Sequence, residues 1–485
     1  MRSFSEEMAR ADALLQQGQA GLAVDILRRL SGTPLSPRAV FEVNAAMASA
    51  SASLGDMPQL VEAYRRACAS GGALPEEHRA AYSNYLFALH YLPGVDDARL
   101  FAEHIAFMKL FPDVRQYKHG AENHRHKKIR LAYLSPDFGM QTNTFFVVQL
   151  LACHDRERFE IYCYNARPHG GAVEEQLRSF ADVWRDVPDW QAADIAARIY
   201  EDEIDILIDL SGHAAGGHTL VTAAYRPAPV QVTAIGWFDT TGLPAVDYVL
   251  ADRWAVPPGS EKFFLEKPLR LQNHSFLCYT PPSSVQYVTR QRKRHEAIVF
   301  GSFNNFCKIT ETQMRLWREI LCRTPGSRLI LKNTGERMAE ERRLRRMAAR
   351  IGFSEGEVEF RSGTSDYLAQ YLDVDIALDT YPYPGGGTTC DALFMGVPVI
   401  SLYGERFGSR FGLSLLSALG LPELAAATGD EYVEKAAALA ASPETLDALH
   451  EGLRERMKAS PLMDGLGYTR EVENLYEKAW QEWIQ

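Results

Sequence analysis

Residues 379–400 read DTYPYPGGGTTCDALFMGVPVI. The apolar run that ends near Asp379, in VDIALDTYPY, has the length and composition of a buried strand, and the stretch after the threonines reads as a helix. Between them stand Gly385, Gly386 and Gly387, followed by Thr388 and Thr389. Three glycines give up side-chain packing and cost backbone entropy, so a fold keeps them where the chain turns tightly or touches a ligand. A strand, a turn of bare amides and a helix starting around Thr388 make a nest of N–H groups at a positive helix end, which suits a diphosphate. The stretch is neither a P-loop nor G-x-G-x-x-G, and no lysine follows the glycines. A nucleotide bound as a leaving group therefore fits better than one hydrolysed for work. Thr388 and Thr389 are expected to cap the helix and donate to phosphate, and Asp391, about a turn further on, to accept from ribose hydroxyls. The alternative is an ordinary structural turn with a threonine cap.

Outward from this turn, short apolar runs alternate with helical stretches. KIRLAYLSPDF, FEIYCYNAR, DILIDLSGHAAGG, VQVTAIGWF and VDYVLADRWAV form one series; AIVFGSFNNFCKI, SRLILKN, VEFRSG, VDIALDTYPY and GVPVISLYG form a second. The pattern predicts an α/β protein with two doubly wound halves, whose ligands bind at the carboxyl ends of the strands. The loops after those runs hold the chemistry-bearing residues. Lys308, after Asn304 and Asn305 in GSFNNFCKIT, is placed to neutralise charge on a departing phosphate. His213 and His218 lie among small residues in DLSGHAAGGH and read as acceptor-side or donor-side contacts, with His213 a catalytic candidate, or as mere caps of the next helix. Asp202 and Asp205, before the strand in EDEIDILIDL, are weaker candidates for proton acceptor.

Before the first series, Phe4 to about Lys109 reads as successive amphipathic helices, broken at Gly18, SGTPLSP, Gly55 and SGGALPEEH. LLQQGQAGLAVDILRRL and SASLGDMPQLVEAYRRACASGG place Leu and Gly alike, an imperfect tetratricopeptide-like repeat. RQYKHGAENHRHKKIR, residues 115–130, reads as a solvated connector whose histidines have no recognised metal spacing. The closing helix YTREVENLYEKAWQEWIQ is amphipathic.

Composition bounds the rest. A net charge of −10 argues against a nucleic-acid binder with a broad basic field. Seven scattered cysteines without C-x-x-C fit reduced thiols and a cytoplasmic protein. No apolar run predicts a signal core or membrane insertion.

YLSPDF, ILIDLSGHAAG, YRPAPVQVTAIGWFDTTGLPAVDYVLAD, FLCYTPP, GSFNNFCKITETQMRLW and ALDTYPYPGGGTTCDALFMGVPVISL together resemble the catalytic region of the O-linked N-acetylglucosamine transferase family, in its bacterial SPINDLY-like branch (glycosyltransferase family 41). The resemblance runs from about Ser83 to the C-terminus. It implies a GT-B fold of two Rossmann-like lobes behind a tetratricopeptide-like helical module. The expected division is 1–114 for the module, 115–128 for a linker, 129–285 and 286–462 for the lobes, and 463–485 for a closing helix. It also implies inverting, metal-independent transfer, without a cofactor, from a nucleotide sugar, UDP-N-acetylglucosamine, to Ser/Thr of a protein or peptide acceptor. Lys308 matches the lysine at the donor diphosphate, Thr388 a phosphate-binding threonine and Asp391 a ribose-binding acid. Asn305 stands where animal members have Gln, and Asp202 where an acid has been proposed to help remove the acceptor proton. Gln141, in SPDFGMQTNTFF, replaces the family's active-site histidine and cannot act as a base at neutral pH. Tyr367 replaces a histidine that stacks on the donor base, and Gly386 stands where animal members carry His. Relatives that use GDP-fucose or that glucosylate asparagine remain alternatives, as does a silent helical adaptor with a relic GT-B half.

Overall fold

The computed structural model describes residues 3–139, 141–282, 296–333 and 338–485. Runs of Val, Ile, Leu and Tyr buried on both faces become the strands of two all-parallel sheets. In the first, β1 (Ile129–Ser135), β2 (Phe159–Asn165), β3 (Val183–Asp186), β4 (Ile206–Asp209), β5 (Val230–Thr233), β6 (Tyr248–Asp252) and β7 (Lys267–Leu271) lie in the order β3-β2-β1-β4-β5-β6-β7. In the second, β8 (Val299–Ser302), β9 (Arg328–Lys332), β10 (Val358–Arg361), β11 (Ile376–Leu378), β12 (Val399–Leu402) and β13 (Ala425–Ala426) take the order β10-β9-β8-β11-β12-β13. Each sheet reverses its strand order once: β1 pairs with both β2 and β4, and β8 with both β9 and β11. These are the two Rossmann-like lobes of the GT-B expectation. The expected boundary between them, at 285 and 286, lies outside the described residues.

The N-terminal module contains α1 (Phe4–Gln16), α2 (Ala20–Ser31), α3 (Pro37–Leu54), α4 (Met57–Ala69), α5 (Pro75–Leu89) and α6 (Asp97–Phe107). Ser3, Ser36, Asp56 and Asp96 cap α1, α3, α4 and α6 with their side-chain oxygens. Gly18 and Gly55, at φ 71° and 66°, turn the chain between α1 and α2 and between α3 and α4, where a left-handed residue is required. The module lies against both lobes. A Cβ on Gly242 would sit 2.0 Å from the His104 carbonyl oxygen, and one on Gly55 2.9 Å from Glu340 Cγ in α12 (Met338–Ile351).

Most of the connector is exposed, as its composition suggests, but its histidines are engaged. His124 is buried, with Nδ1 2.8 Å from Asp205 Oδ1 and its ring 5.9 and 5.6 Å from those of Trp480 and Trp483. His119 Nε2 donates to the Arg226 carbonyl at 2.8 Å. The cause is α17 (Gly465–Ile484), which leaves the second lobe and packs on the first. Glu473 there meets His154 at 2.9 Å and accepts from the Asp155 amide at 2.8 Å, while Tyr468, Val472 and Tyr476 are buried. No helix among the described residues is long and apolar enough to cross a membrane.

Candidate active site

Where a parallel sheet reverses its strand order, the loops at the carboxyl ends diverge and leave a crevice. In the second sheet that point lies between β8 and β11, and the loops that leave it are those of Lys308 and of the glycine turn. Asp379 shapes the turn. Its Oδ1 accepts from the amides of Gly385 at 2.7 Å and Thr380 at 2.8 Å, and its Oδ2 from Ser401 Oγ at 2.8 Å. Burial raises its pKa, against these hydrogen bonds and the nearby Lys308 charge.

The three glycines have different reasons. A Cβ on Gly385 would lie 2.4 Å from Thr388 Oγ1 and 2.7 Å from Thr389 Oγ1, and one on Gly387 would lie 2.7 Å from Thr142 Cγ2. At Gly386 nothing comes closer than 3.8 Å, and the neighbours are Leu277, Phe411 and Phe146. Helix α13 (Gly387–Phe394) starts one residue earlier than expected, with Gly386 as N-cap and no side-chain cap. The expectation that Thr388 caps it is corrected: Thr388 Oγ1 donates to Asn304 Oδ1 at 3.1 Å. The helix mouth thus meets the crevice with main chain.

Lys308 ends the short 3-10 turn Phe306–Lys308 and points at that mouth. Its Nζ donates to the Pro384 carbonyl at 2.9 Å and lies 3.9 Å over the Tyr383 ring. Burial brings its pKa down to about 8, partly offset by Asp379. Asn305 opens the turn, accepting from the Cys307 amide at 3.3 Å, while Asn304 reaches the glycine turn through Thr388 and Asp379. Asp391 is buried in α13 and accepts from Tyr279 at 2.5 Å and from Tyr367. Burial pushes its pKa up to about 6 against those two hydrogen bonds. Tyr371 packs on Phe303 with the rings tilted, centroids 4.4 Å apart, and donates to the Thr388 carbonyl at 3.0 Å.

The first sheet reverses between β1 and β4, and its loops close the crevice from the other side. Gln141 is exposed in the loop after β1, next to the Thr142 methyl that faces Gly387. Asp209 ends β4 as Asp379 follows β11: it accepts from the amides of Ser211 and Gly212 and from Thr233 on the next strand. The loop it holds carries His213.

Two expectations are corrected here. His213 is not poised to take a proton. Its Nε2 donates to the Thr241 carbonyl at 2.8 Å, so its Nδ1 accepts from Ser83 Oγ at 2.8 Å, and burial lowers its pKa well below 6.5. It joins the helical module to the first lobe. Asp202 follows α9 (Ala192–Glu201) where the chain enters β4, at the opposite edge of the sheet from the crevice. Its carboxylate accepts from Tyr164 at 2.6 Å, from Arg185 at 2.7 Å and from Arg198. Burial alone would raise its pKa, but these bonds outweigh burial and hold it below the ordinary value. Asp205 is likewise engaged, by His124 and by the Arg130 amide at 2.8 Å. His218 is exposed at the start of α10 (His218–Ala224).

The fold thus brings Lys308 to the turn of Gly385, Gly386, Gly387, Thr388 and Thr389, with Asn305 opening the Lys308 turn, Asp391 hydrogen-bonded to Tyr367, and Gln141 beside the Thr142 that faces Gly387, and it leaves Asp202 and His213 in structural roles. Sequence reasoning missed Asp379, Tyr279 and Tyr371. An acid directly before a glycine turn was the available signal for the first.

The family model described as glycosyl transferase family 41 matches residues 96–280 and 270–472. The Solanum lycopersicum protein named "Probable UDP-N-acetylglucosamine--peptide N-acetylglucosaminyltransferase SPINDLY" is 35% identical over 420 residues, 84% of this chain and 45% of that protein. The Arabidopsis thaliana protein of the same name but designated SEC is 30% identical over 366 residues, 73% of this chain and 37% of that protein. The chain therefore spans less than half the length of these curated relatives. A solved structure of a Thermobaculum terrenum O-GlcNAc transferase mutant superposes with a TM-score of 0.87 at 31% identity, covering 98% of this chain and 90% of that one.

Proposed function

The chain belongs to glycosyl transferase family 41, and from that premise we propose that it is an inverting protein glycosyltransferase, moving N-acetylglucosamine from UDP-N-acetylglucosamine to a Ser or Thr hydroxyl of a protein or peptide acceptor. The observation that carries this reading is Lys308 Nζ lying against Pro384 and Tyr383 beside the main-chain mouth of α13. The printed names of the relatives support the donor and acceptor.

In this reading the diphosphate lies on the first-turn amides of α13 beside the Thr388 hydroxyl, with the Lys308 ammonium against it. Asp391 accepts from the ribose and Tyr367 flanks the base. The acceptor oxygen attacks the anomeric carbon from the face opposite the diphosphate, a C–O bond forms, and the bond from the anomeric carbon to the β-phosphate oxygen breaks. Negative charge grows on the leaving diphosphate, where Lys308 and the helix mouth stabilise it without a bound cation. Gln141, His213 and Asp202 are unsuited as bases, so the acceptor proton passes to a donor phosphate oxygen. The test is turnover with UDP-N-acetylglucosamine, UDP-glucose and GDP-fucose, followed by mass mapping of the modified side chain. Transfer of N-acetylglucosamine to Ser/Thr is expected. A modified asparagine, preference for another donor, or no nucleotide binding by calorimetry would each replace this reading.

A further inference from the structure

Where the helical module meets the first lobe, three donor groups converge: Nε2 of His90 just past α5, Nε2 of His104 in α6, and the carboxylate of Asp239 in the loop after β5. Their donor atoms lie within 4.8 Å of one another, and His90 Nε2 is 3.7 Å from Asp239 Oδ2. The residues are 3%, 0% and 7% exposed, and neither Nε2 has a hydrogen-bond partner. His104 Nδ1 donates to the Leu100 carbonyl at 2.7 Å, which leaves its Nε2 an unprotonated lone pair aimed into the cluster. A buried polar atom without a partner is costly, so two side by side, facing a carboxylate, call for an occupant.

We propose that His90, His104 and Asp239 hold a divalent cation of the zinc and cobalt class, which clamps the helical module to the first lobe. Two imidazoles and one carboxylate with an open position suit these borderline ions; magnesium and calcium take all-oxygen sets. The backbone hydrogen bond behind His104 is the kind of outer contact that orients a metal-bound imidazole. Neighbouring ligand atoms in a tetrahedral site stand about 3.4 Å apart, so closing requires shifts of about an ångström. The Arg406 guanidinium faces all three groups, and Asp97 and Glu266 stand near Asp239. Entry is through the pocket lined by Asp97, Leu100, Asp239, Glu405 and Arg406. Phe238 lies between the cluster and the Lys308 crevice, its ring 5.1 Å from that of His90 and 5.0 Å from that of Tyr383.

The full chain, stripped with EDTA, is titrated with ZnCl2 and CoCl2 and assayed by equilibrium dialysis, cobalt absorption and thermal unfolding. About one equivalent per chain is expected, with four-coordinate cobalt bands and a Tm raised by several degrees. Asp239→Asn and His90→Gln should lose that equivalent and the Tm gain. The double variant His124→Gln/His126→Gln, in the other His–Asp group, should keep both. X-ray absorption on the zinc-loaded unmutated protein serves where a variant fails to fold: two imidazoles with oxygen support the clamp, and a sulfur-ligated ion overturns it. No tight equivalent in the unmutated chain, or one that survives Asp239→Asn, also overturns it.

Discussion

Lys308 Nζ donates to the carbonyl oxygen of Pro384 at 2.9 Å, so the ammonium that follows β8 is held against the residue that opens the glycine turn after β11. The two loops leave neighbouring strands at the point where the sheet reverses, and their contact assembles a cation, a helix mouth and a hydroxyl in one place. The contact is replaceable: a diphosphate oxygen offers the same ammonium a stronger, charged acceptor.

Lys308→Ala is expected to lower kcat about 100-fold or more, the scale of losing one charge stabiliser in a water-excluded site. The residue also sets a pH dependence. Burial holds the free lysine at about 8, below its ordinary 10.5, and a bound diphosphate raises it again. Above pH 8, UDP binding must therefore take up a proton, and affinity falls by up to about tenfold per pH unit. Calorimetry at pH 7, 8 and 9 in buffers of different ionisation enthalpy measures both. A flat profile, or equal turnover by Lys308→Ala, would remove the lysine from the site.

Asp391 carries the opposite sign. Its folded pKa of about 6 lies above the ordinary 3.8, so the stability it contributes is full below about pH 4 and lost as pH rises through 6. Asp391→Asn does not titrate. Its Tm relative to the unmutated protein should rise between pH 4 and pH 7, by the equivalent of up to about 2 kcal/mol. UDP should bind about tenfold more weakly, since the ribose loses a charged acceptor. Thermal unfolding at the two pH values and UDP titration check the pair; a constant Tm difference would mean that Asp391 is already ionised at low pH.

The crevice was legible in the sequence because its parts are local: a strand, glycines and a helix stand consecutively at 379–400, and Lys308 follows its own strand directly. What failed was everything set by partners distant in the chain. Asp202 and His213 have the right chemistry, and His213 stands in the right loop. Only the fold shows that Arg185, Arg198 and Tyr164 enclose the first, and that Ser83, 130 residues away, takes one nitrogen of the second. His124 reads as solvated because α17, whose Trp480 and Trp483 pack on it, comes last in the sequence. Asp379 was passed over because a carboxylate at a strand end is ordinarily exposed; its hydrogen bonds to Gly385 and Ser401 depend on the turn folding back over it.

Asp202→Asn should therefore damage stability and spare chemistry. Removing the charge leaves Arg185 and Arg198, each about a third exposed, without their shared carboxylate, and a loss of roughly 1–3 kcal/mol is expected after allowing for solvent. Because the folded pKa is depressed, the stabilisation exists above about pH 4 and fades as the carboxylate protonates, so the variant and the unmutated protein should converge in acid. His213→Gln should likewise lower Tm while leaving the pH profile of kcat unchanged in shape between pH 5 and 8, since that imidazole stays neutral throughout. A kcat loss of a hundredfold or more in a folded Asp202→Asn would return the acid to the mechanism.

The glycine run gives the sharpest discrimination, because neighbouring positions make opposite demands. Gly386→Ala places its methyl at ordinary van der Waals distance, 3.8 Å from Leu277 and Phe411, with φ at −101°, so folding and UDP binding should change little. Gly385→Ala drives a methyl into the Thr388 and Thr389 hydroxyls, and the turn that Asp379 holds must shift. Gly387→Ala meets the Thr142 methyl from the facing lobe, and the crevice must open. Both should weaken UDP binding by about tenfold or more, since misplaced amides lose their alignment on a diphosphate. Gly387→Ala alone should regain affinity when Thr142→Ser removes the opposing methyl. Calorimetry on the three single variants and that double variant reads the pattern; uniform losses at 385, 386 and 387 would mean that the diphosphate does not lie along this turn.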